Sequence, residues 1–575
     1  MPRDLAAAAA VGAMAAAIGL ALLTWRRRLR PTRLALRLKD GRSIGGCATG
    51  GVARFLGVPF AAPPVGADRW RPPKPLPPAA ADEVQSAQSW APLWRAPQPD
   101  LGWNKRGTAF GVRVADSEAG CLQLNVWTPE ALIGGGEALR PVLFYIHGGA
   151  GKLMSAHDDD YSGHQLAARH GLVYVAAQYR LGALGFMAHP ALSAEDDEGG
   201  ERGSGNYAVL DLVAALRWVQ AHGASFGGDP ANVTIWGLST GAQLVATLLV
   251  SPLAEELFHR AMIQSCVDLT NVRELRGRHE VWQHKTAEEW GRALAAALGC
   301  ASDDAAEELR RCRSLPASAI VDKSWDTAAT DCYEPAVDRR AGLGAAKPLT
   351  SVEALSSGRF HRVPVLLGVT ADDGLGKAEL EWTMFDDVAT VDEYRRLLER
   401  KLGAARLAEA LRLYPAESDN DVEVALGRLS DDLWYAVGSW AMADLLVDAP
   451  AAAPVYVYRV TQTGHTEHGS DTPLWNGSRW GDDGRPAGPA PDAAMAFLAN
   501  FALSGDPNGA GLPRWEAHTQ EAPLYMQLGE AVGMRGRDEA EAARYALLGA
   551  WIREELRDGG PERERLSESA AARRN

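Results

Sequence analysis

The residues with most chemistry to offer are a serine between glycines, a pair of aspartates and a pair of histidines, met in that order along the chain. Ser239 stands in Gly237-Leu-Ser-Thr-Gly241, after an apolar, strand-like run at 233–236 and before a helix-compatible run at 242–250. Gly237 and Gly241 lack the β-carbons that would crowd a tight strand-to-helix reversal. The backbone can therefore lift the serine to the head of a sheet, where the N–H groups of a helix N-terminus point. A hydroxyl placed there attacks a carbonyl if a base takes its proton. Downstream, VPVLLG runs into VTADDGLG with Asp372 and Asp373, and VYVYRV runs into TQTGHTEHGSD with His465 and His468. The order Ser, Asp, His suits an imidazole that accepts the serine proton and a carboxylate that fixes its tautomer. Within each pair, residue type and spacing leave both members open.

Such chemistry also needs donors for a developing oxyanion. The strand-like LFYI is followed by HGGAGK at 147–152, where Gly148, Gly149 and Ala150 let backbone N–H groups converge, joined by the N–H of Thr240. The elements that must position these groups alternate. Apolar β-type runs at 142–146, 172–176, 233–236, 363–367 and 455–460 are interleaved with helical periodicity at 210–219, 242–250, 288–298 and 391–402. This predicts an α/β fold, a large and mostly parallel sheet covered by helices on both faces.

Composition sets the outer limits. A chain of 575 residues, 46% hydrophobic, can bury one large core, and a formal net charge of -14 argues against nucleic acid as a partner. We divide it into a segment at 1–35, a main domain at 36–555 and a charged tail at 556–575. Residues 5–24 carry no charge, about the length of a membrane-crossing helix, and Trp25 and Arg26, Arg27, Arg28 and Arg30 follow as interfacial anchors. The expectation is an N-terminal membrane anchor and membrane association, with the arginines favouring a cytoplasmic side for the main domain. The alternatives are a cleaved targeting segment leading to a secretory or organellar lumen, and a peripheral alanine-rich helix.

Cys300 and Cys312 are spaced to close a short disulfide loop, whereas Cys47, Cys121, Cys266 and Cys332 have no pairing that spacing assigns. Asn232 and Asn476 begin glycosylation patterns that matter only in a secretory compartment. No cofactor or metal is expected. HDDDY at 157–161 lacks the spaced ligands of a cation loop, HTEH at 465–468 lacks the helical zinc-hydrolase pattern, and GGCATGG at 45–51 lacks the context of a dinucleotide site.

Longer stretches from about Gly41 to Leu548 are more specific: FLGVPFAAPPVGADRWRPP, SEAGCLQLNVWTP, YIHGGA, QYRLGALGF, GNYAVLDLVAALRWVQ, FGGDPANVTIWGLSTG, RAMIQS and NFALSGDPN. In these the chain resembles the type-B carboxylesterase and cholinesterase family of the α/β-hydrolases. The resemblance implies a nucleophile at Ser239, a triad acid at Asp373, a triad histidine at His468, and oxyanion donors at Gly149, Ala150 and Thr240, with Gly148 shaping the turn. It also implies a disulfide between Cys300 and Cys312, and half of another at Cys121.

Some positions depart from the family pattern. Leu238 and Thr240 flank the serine where the family has glutamate and alanine, Ala150 replaces a glycine, Asp373 replaces the commoner glutamate, and Cys266 follows QS. Leu238 removes a carboxylate beside the serine, which argues against a choline ester. Trp103 reads as a packing residue rather than a cation cradle. The expected function is hydrolysis of a small-molecule or lipid-like carboxylic ester through a serine acyl-enzyme. The alternatives are a catalytically weak or inactive cholinesterase-like binding or adhesion protein and a lipase acting on membrane-derived esters.

Overall fold

The computed structural model describes residues 31–78, 84–85, 93–95, 108–109, 112–133, 138–197, 201–266, 269, 273–276, 286–327, 333–340, 344–373, 388–478 and 488–558. Its frame is a sheet built from β1 (Thr32–Arg37), β2 (Ser43–Thr49), β3 (Val52–Pro59), β4 (Gln123–Pro129), β5 (Arg140–Ile146), β6 (Val173–Ala177), β7 (Gly228–Leu238), β8 (Arg260–Gln264), β9 (Val365–Thr370), β10 (Val455–Val460), β11 (Leu524–Leu528) and β12 (Val532–Gly536). They lie in the order β1-β2-β3-β4-β6-β5-β7-β8-β9-β10-β11-β12, and the short Val84–Gln85 pairs beside β2. From β6 to β11 every neighbouring pair is parallel, and both flanks are antiparallel.

The central strands read as unbroken apolar runs because both of their faces are covered. Side chains alternate across the sheet. Val142, Phe144, Ile146, Val233 and Ile235 enter one core with Leu210, Val213, Leu244 and Leu248 of the helices Tyr207–His222 and Thr240–Val250. Leu143, Tyr145 and Trp236 enter a second core with Trp475, Phe497 and Phe501. Each such side chain, fully buried, contributes about 1.5–3 kcal/mol of transfer free energy.

The chain leaves β5 for β6 on one side and then places β7 on the other, so the strand order reverses at β5. A crevice opens at the carboxyl ends of strands where order reverses in this way. The HGGAGK loop leaves β5 there, and Ser239 leaves β7 beside it.

Two expectations are corrected. Among the described residues no helix is long and apolar enough to cross a membrane. The longest, Glu539–Asp558, carries Glu539, Glu541 and Arg544 within its first two turns. The run at 5–24 lies outside the described residues, and the membrane anchor, with the localisation drawn from it, is given up.

The Cys300–Cys312 disulfide is also not formed. Both residues are buried free thiols, as are Cys47 and Cys121, and Cys332 lies outside the described residues. Burial, with the neighbouring Cys300 adding to it, pushes the Cys312 thiol well above its ordinary range. That disfavours the thiolate through which disulfides form. Asn476 is fully buried and donates to Asp160 O at 2.6 Å, which takes it out of reach of a glycosylating enzyme.

Candidate active site

Ser239 occupies the turn between β7 and the helix Thr240–Val250 with φ 58° and ψ -125°. A non-glycine residue persists in that region only when its surroundings hold it there, and here they do. Its N–H donates to Gln264 O at 2.9 Å and its carbonyl accepts from Gln243 N at 3.0 Å. A β-carbon on Gly237 would stand 2.2 Å from Gly241 O, and one on Gly241 would stand 2.1 Å from Ile146 O. Both glycines are therefore required by close backbone approach, as their spacing predicted. Thr240 is the first residue of the helix, where an N–H has no intrahelical acceptor.

The structure places the two members of each residue pair differently. His468 Nδ1 lies 2.6 Å from Asp373 Oδ1. Asp373 Oδ2 accepts from Ser265 Oγ at 2.6 Å and from Thr370 N at 2.8 Å. With Asp373 accepting at this contact, Nδ1 carries the proton of the neutral ring, which makes Nε2 its basic nitrogen. The Asp373 side chain is buried, whereas the His468 side chain is 19% exposed. Asp372 is exposed, and its N–H donates to Thr466 O at 2.8 Å, which ties the loop after β9 to the loop after β10. His465 turns away, its Nδ1 bonded to Ser470 O at 2.8 Å. The two histidines therefore do not converge.

Beside Ser239, the HGGAGK loop turns its carbonyls into the protein. Gly148 O meets His147 Nδ1 at 2.9 Å. Gly149 O accepts from Lys152 N and Leu153 N, both at 2.9 Å, and Ala150 O accepts from Tyr333 N at 3.2 Å. In a planar trans peptide, the N–H of the next residue points opposite to the carbonyl. Fixing the carbonyls of Gly148 and Gly149 therefore aims the N–H groups of Gly149 and Ala150 the other way. Gly149 and Ala150 both have positive φ, at 105° and 53°. The loop lies so close to the elbow that a β-carbon on Gly148 would stand 2.7 Å from Leu238 O and 3.0 Å from Ser239 Cβ.

The loop is braced from beneath. Gln178 Nε2 lies 3.3 Å from His147 Nε2, and Tyr179 donates its hydroxyl to His147 O at 2.8 Å. Burial pushes His147 down to about 4, so it stays neutral as a brace. In HDDDY, His157 Nδ1 pairs with Asn125 Nδ2 at 2.6 Å, and Asp158 Oδ2 accepts from Ser155 N at 3.0 Å. Those residues shape a turn.

Four further residues, given no catalytic part by sequence reasoning, adjoin the site. Ser265 combines a φ of 53° with the bond to Asp373. Gln264 bridges Trp236 Nε1 at 3.0 Å and Asp471 Oδ1 at 2.6 Å. Asp471 is fully buried, and burial, then the charge of Asp373, pushes it up to about 6. Tyr435 places its ring 4.7 Å from that of His468. A signal existed only for Ser265 and Gln264, which end the strand neighbouring the one that leads to Asp373. Trp103 lies outside the described residues.

A largely parallel sheet with helices on both faces, and a serine on a left-handed elbow at its reversal point, defines an α/β-hydrolase. The model of the carboxylesterase family matches residues 40–546. The chain belongs to the carboxylesterase family and is a carboxylic ester hydrolase. It is 37% identical over 414 residues to a fumonisin B1 esterase of Sphingopyxis macrogoltabida, covering 72% of this chain and 68% of that one. It is 32% identical over 524 residues to liver carboxylesterase 1 of Mus musculus, covering 83% and 85%. A solved PNB esterase superposes with a TM-score of 0.71 at 26% identity, covering 90% of this chain and 99% of that one.

Proposed function

We propose that Ser239 is the nucleophile, His468 the general base and Asp373 the acid that orients it. The N–H groups of Gly149, Ala150 and Thr240 receive the oxyanion. His468 Nε2 takes the hydroxyl proton as Ser239 Oγ bonds to the ester carbonyl carbon, and the carbonyl electrons move onto oxygen. The tetrahedral intermediate collapses, the C–O bond to the alcohol breaks, and His468 protonates the departing alkoxide. Water, deprotonated by the same histidine, then releases the acid and regenerates the serine. Each backbone donor is expected to supply roughly 3 kcal/mol of transition-state stabilisation.

The observation that carries this reading is the 2.6 Å contact between His468 Nδ1 and buried Asp373, which makes Nε2 the basic nitrogen of the ring. The substrate we infer is a small or lipid-like ester, uncharged near the reacting carbonyl. Leu238 precedes the serine, is 6% exposed, and reaches toward Gly469, whose added β-carbon would stand 3.2 Å from Leu238 Cδ2. This sets an apolar side chain against the turn that follows His468, directly before the serine. Purified Ser239→Ala should fold normally and lose turnover of short-chain aryl esters. Full retained activity would overturn the assignment.

A further inference from the structure

Between the helices Val422–Asp431 and Val437–Val447, residues Asp432–Ala436 form a single π-helical turn. Such turns insert an extra residue, redirect the side chains that follow, and are frequent at functional sites. The side chain redirected here is Tyr435, 6% exposed, whose ring lies 4.7 Å from the His468 imidazole at an interplanar angle of 39°. The turn is held at its first residue. Asp432 accepts from the Tyr414 hydroxyl at 2.8 Å and forms an ion pair at 2.7 Å with Arg544 of the C-terminal helix Glu539–Asp558. The same helix reaches the other side of the site, because Glu541 pairs with Arg459 of β10, which donates to Ala371 O at 3.3 Å in the loop carrying Asp373.

We propose that Tyr435 is a positioning residue for His468, presented by this turn and held there through Asp432 and Arg544. The inference rests on the reading of His468 as the base. The ring holds the imidazole in the plane set by Asp373, and its electron-rich face favours the imidazolium formed when Ser239 gives up its proton. Among the described residues His468 pairs with Asp373, whose charge in turn reaches the buried Asp471. Glu467 precedes His468 in the chain on an exposed position. Tyr435 faces it from the helical side.

The test compares Tyr435→Phe, Tyr435→Leu and Arg544→Gln in the full chain, using kcat and KM for an aryl ester and the acid limb of kcat/KM against pH. Tyr435→Phe keeps the ring and should match the unsubstituted protein. Tyr435→Leu should lower kcat by roughly threefold to tenfold with little change in KM, and move the acid limb to lower pH. Arg544→Gln should do the same to a smaller extent and add nothing in the Tyr435→Leu background. An unmoved acid limb in Tyr435→Leu, a limb moved to higher pH, or an equal loss in Tyr435→Phe would overturn the proposal. If Tyr435→Leu does not fold, an unchanged limb in Arg544→Gln overturns it. His468→Gln separates the two readings, since activity surviving that change refutes the base assignment itself.

Discussion

Asp373→Asn probes the site through its hydrogen-bond polarity. Asp373 offers one oxygen to His468 Nδ1 and the other to Thr370 N and Ser265 Oγ. Asparagine has only one oxygen. The Thr370 N–H can only donate, so that oxygen must stay on the Thr370 side, and the amide NH2 then faces His468. Two donors cannot share a 2.6 Å contact. The imidazole proton therefore moves to Nε2, where it blocks acceptance of the serine proton. A triad locked in the wrong tautomer loses about 10⁴ in kcat, or roughly 5.5 kcal/mol of barrier. Steady-state hydrolysis of an aryl acetate near neutral pH reads the loss, and thermal melting checks that the fold survives. Asp373→Glu should keep more activity, because it preserves an acceptor for both sides. More than a tenth of the original kcat in folded Asp373→Asn would refute the reasoning.

Gly148→Ala should lower kcat on the order of 100-fold with KM little changed. Its β-carbon meets Leu238 O at 2.7 Å, which pushes the oxyanion loop away from the elbow. Steady-state kinetics with a melting curve would check it. His147 makes stability depend on acid. Held near 4 in the folded chain against an ordinary 6.5, it refuses a proton that the unfolded chain binds. Its contribution is whole above about pH 6.5 and is lost as pH falls toward 4, on the order of 3 kcal/mol. Urea unfolding across that range should show the decline, and His147→Asn should flatten part of it.

Much of this was legible before any coordinates. Apolar runs at 142–146, 233–236 and 455–460 lie inside β5, β7 and β10, because strands buried on both faces must be apolar throughout. The helical period at 391–402 returns as the helix Val391–Leu402, started by a Thr390 and Glu393 capping box. The elbow was legible because two glycines at fixed spacing have a steric cause. The choice between His465 and His468 was not legible from residue type, since it depends on how the loop after β10 docks against Asp372. Tyr435 was hidden for a different reason. A π-helical turn leaves no periodic mark, and the contact joins segments that only the fold brings together. The disulfide was not legible because spacing permits a loop without saying whether the two sulfurs bond.

The central claim is that Ser239 carries the acyl group. Peptide mass spectrometry after reaction with a fluorophosphonate tests it most directly. One adduct per chain on the peptide containing Ser239, absent in Ser239→Ala and slowed in Asp373→Asn, is the predicted result. An adduct on another residue, or none on folded and active protein, would contradict it.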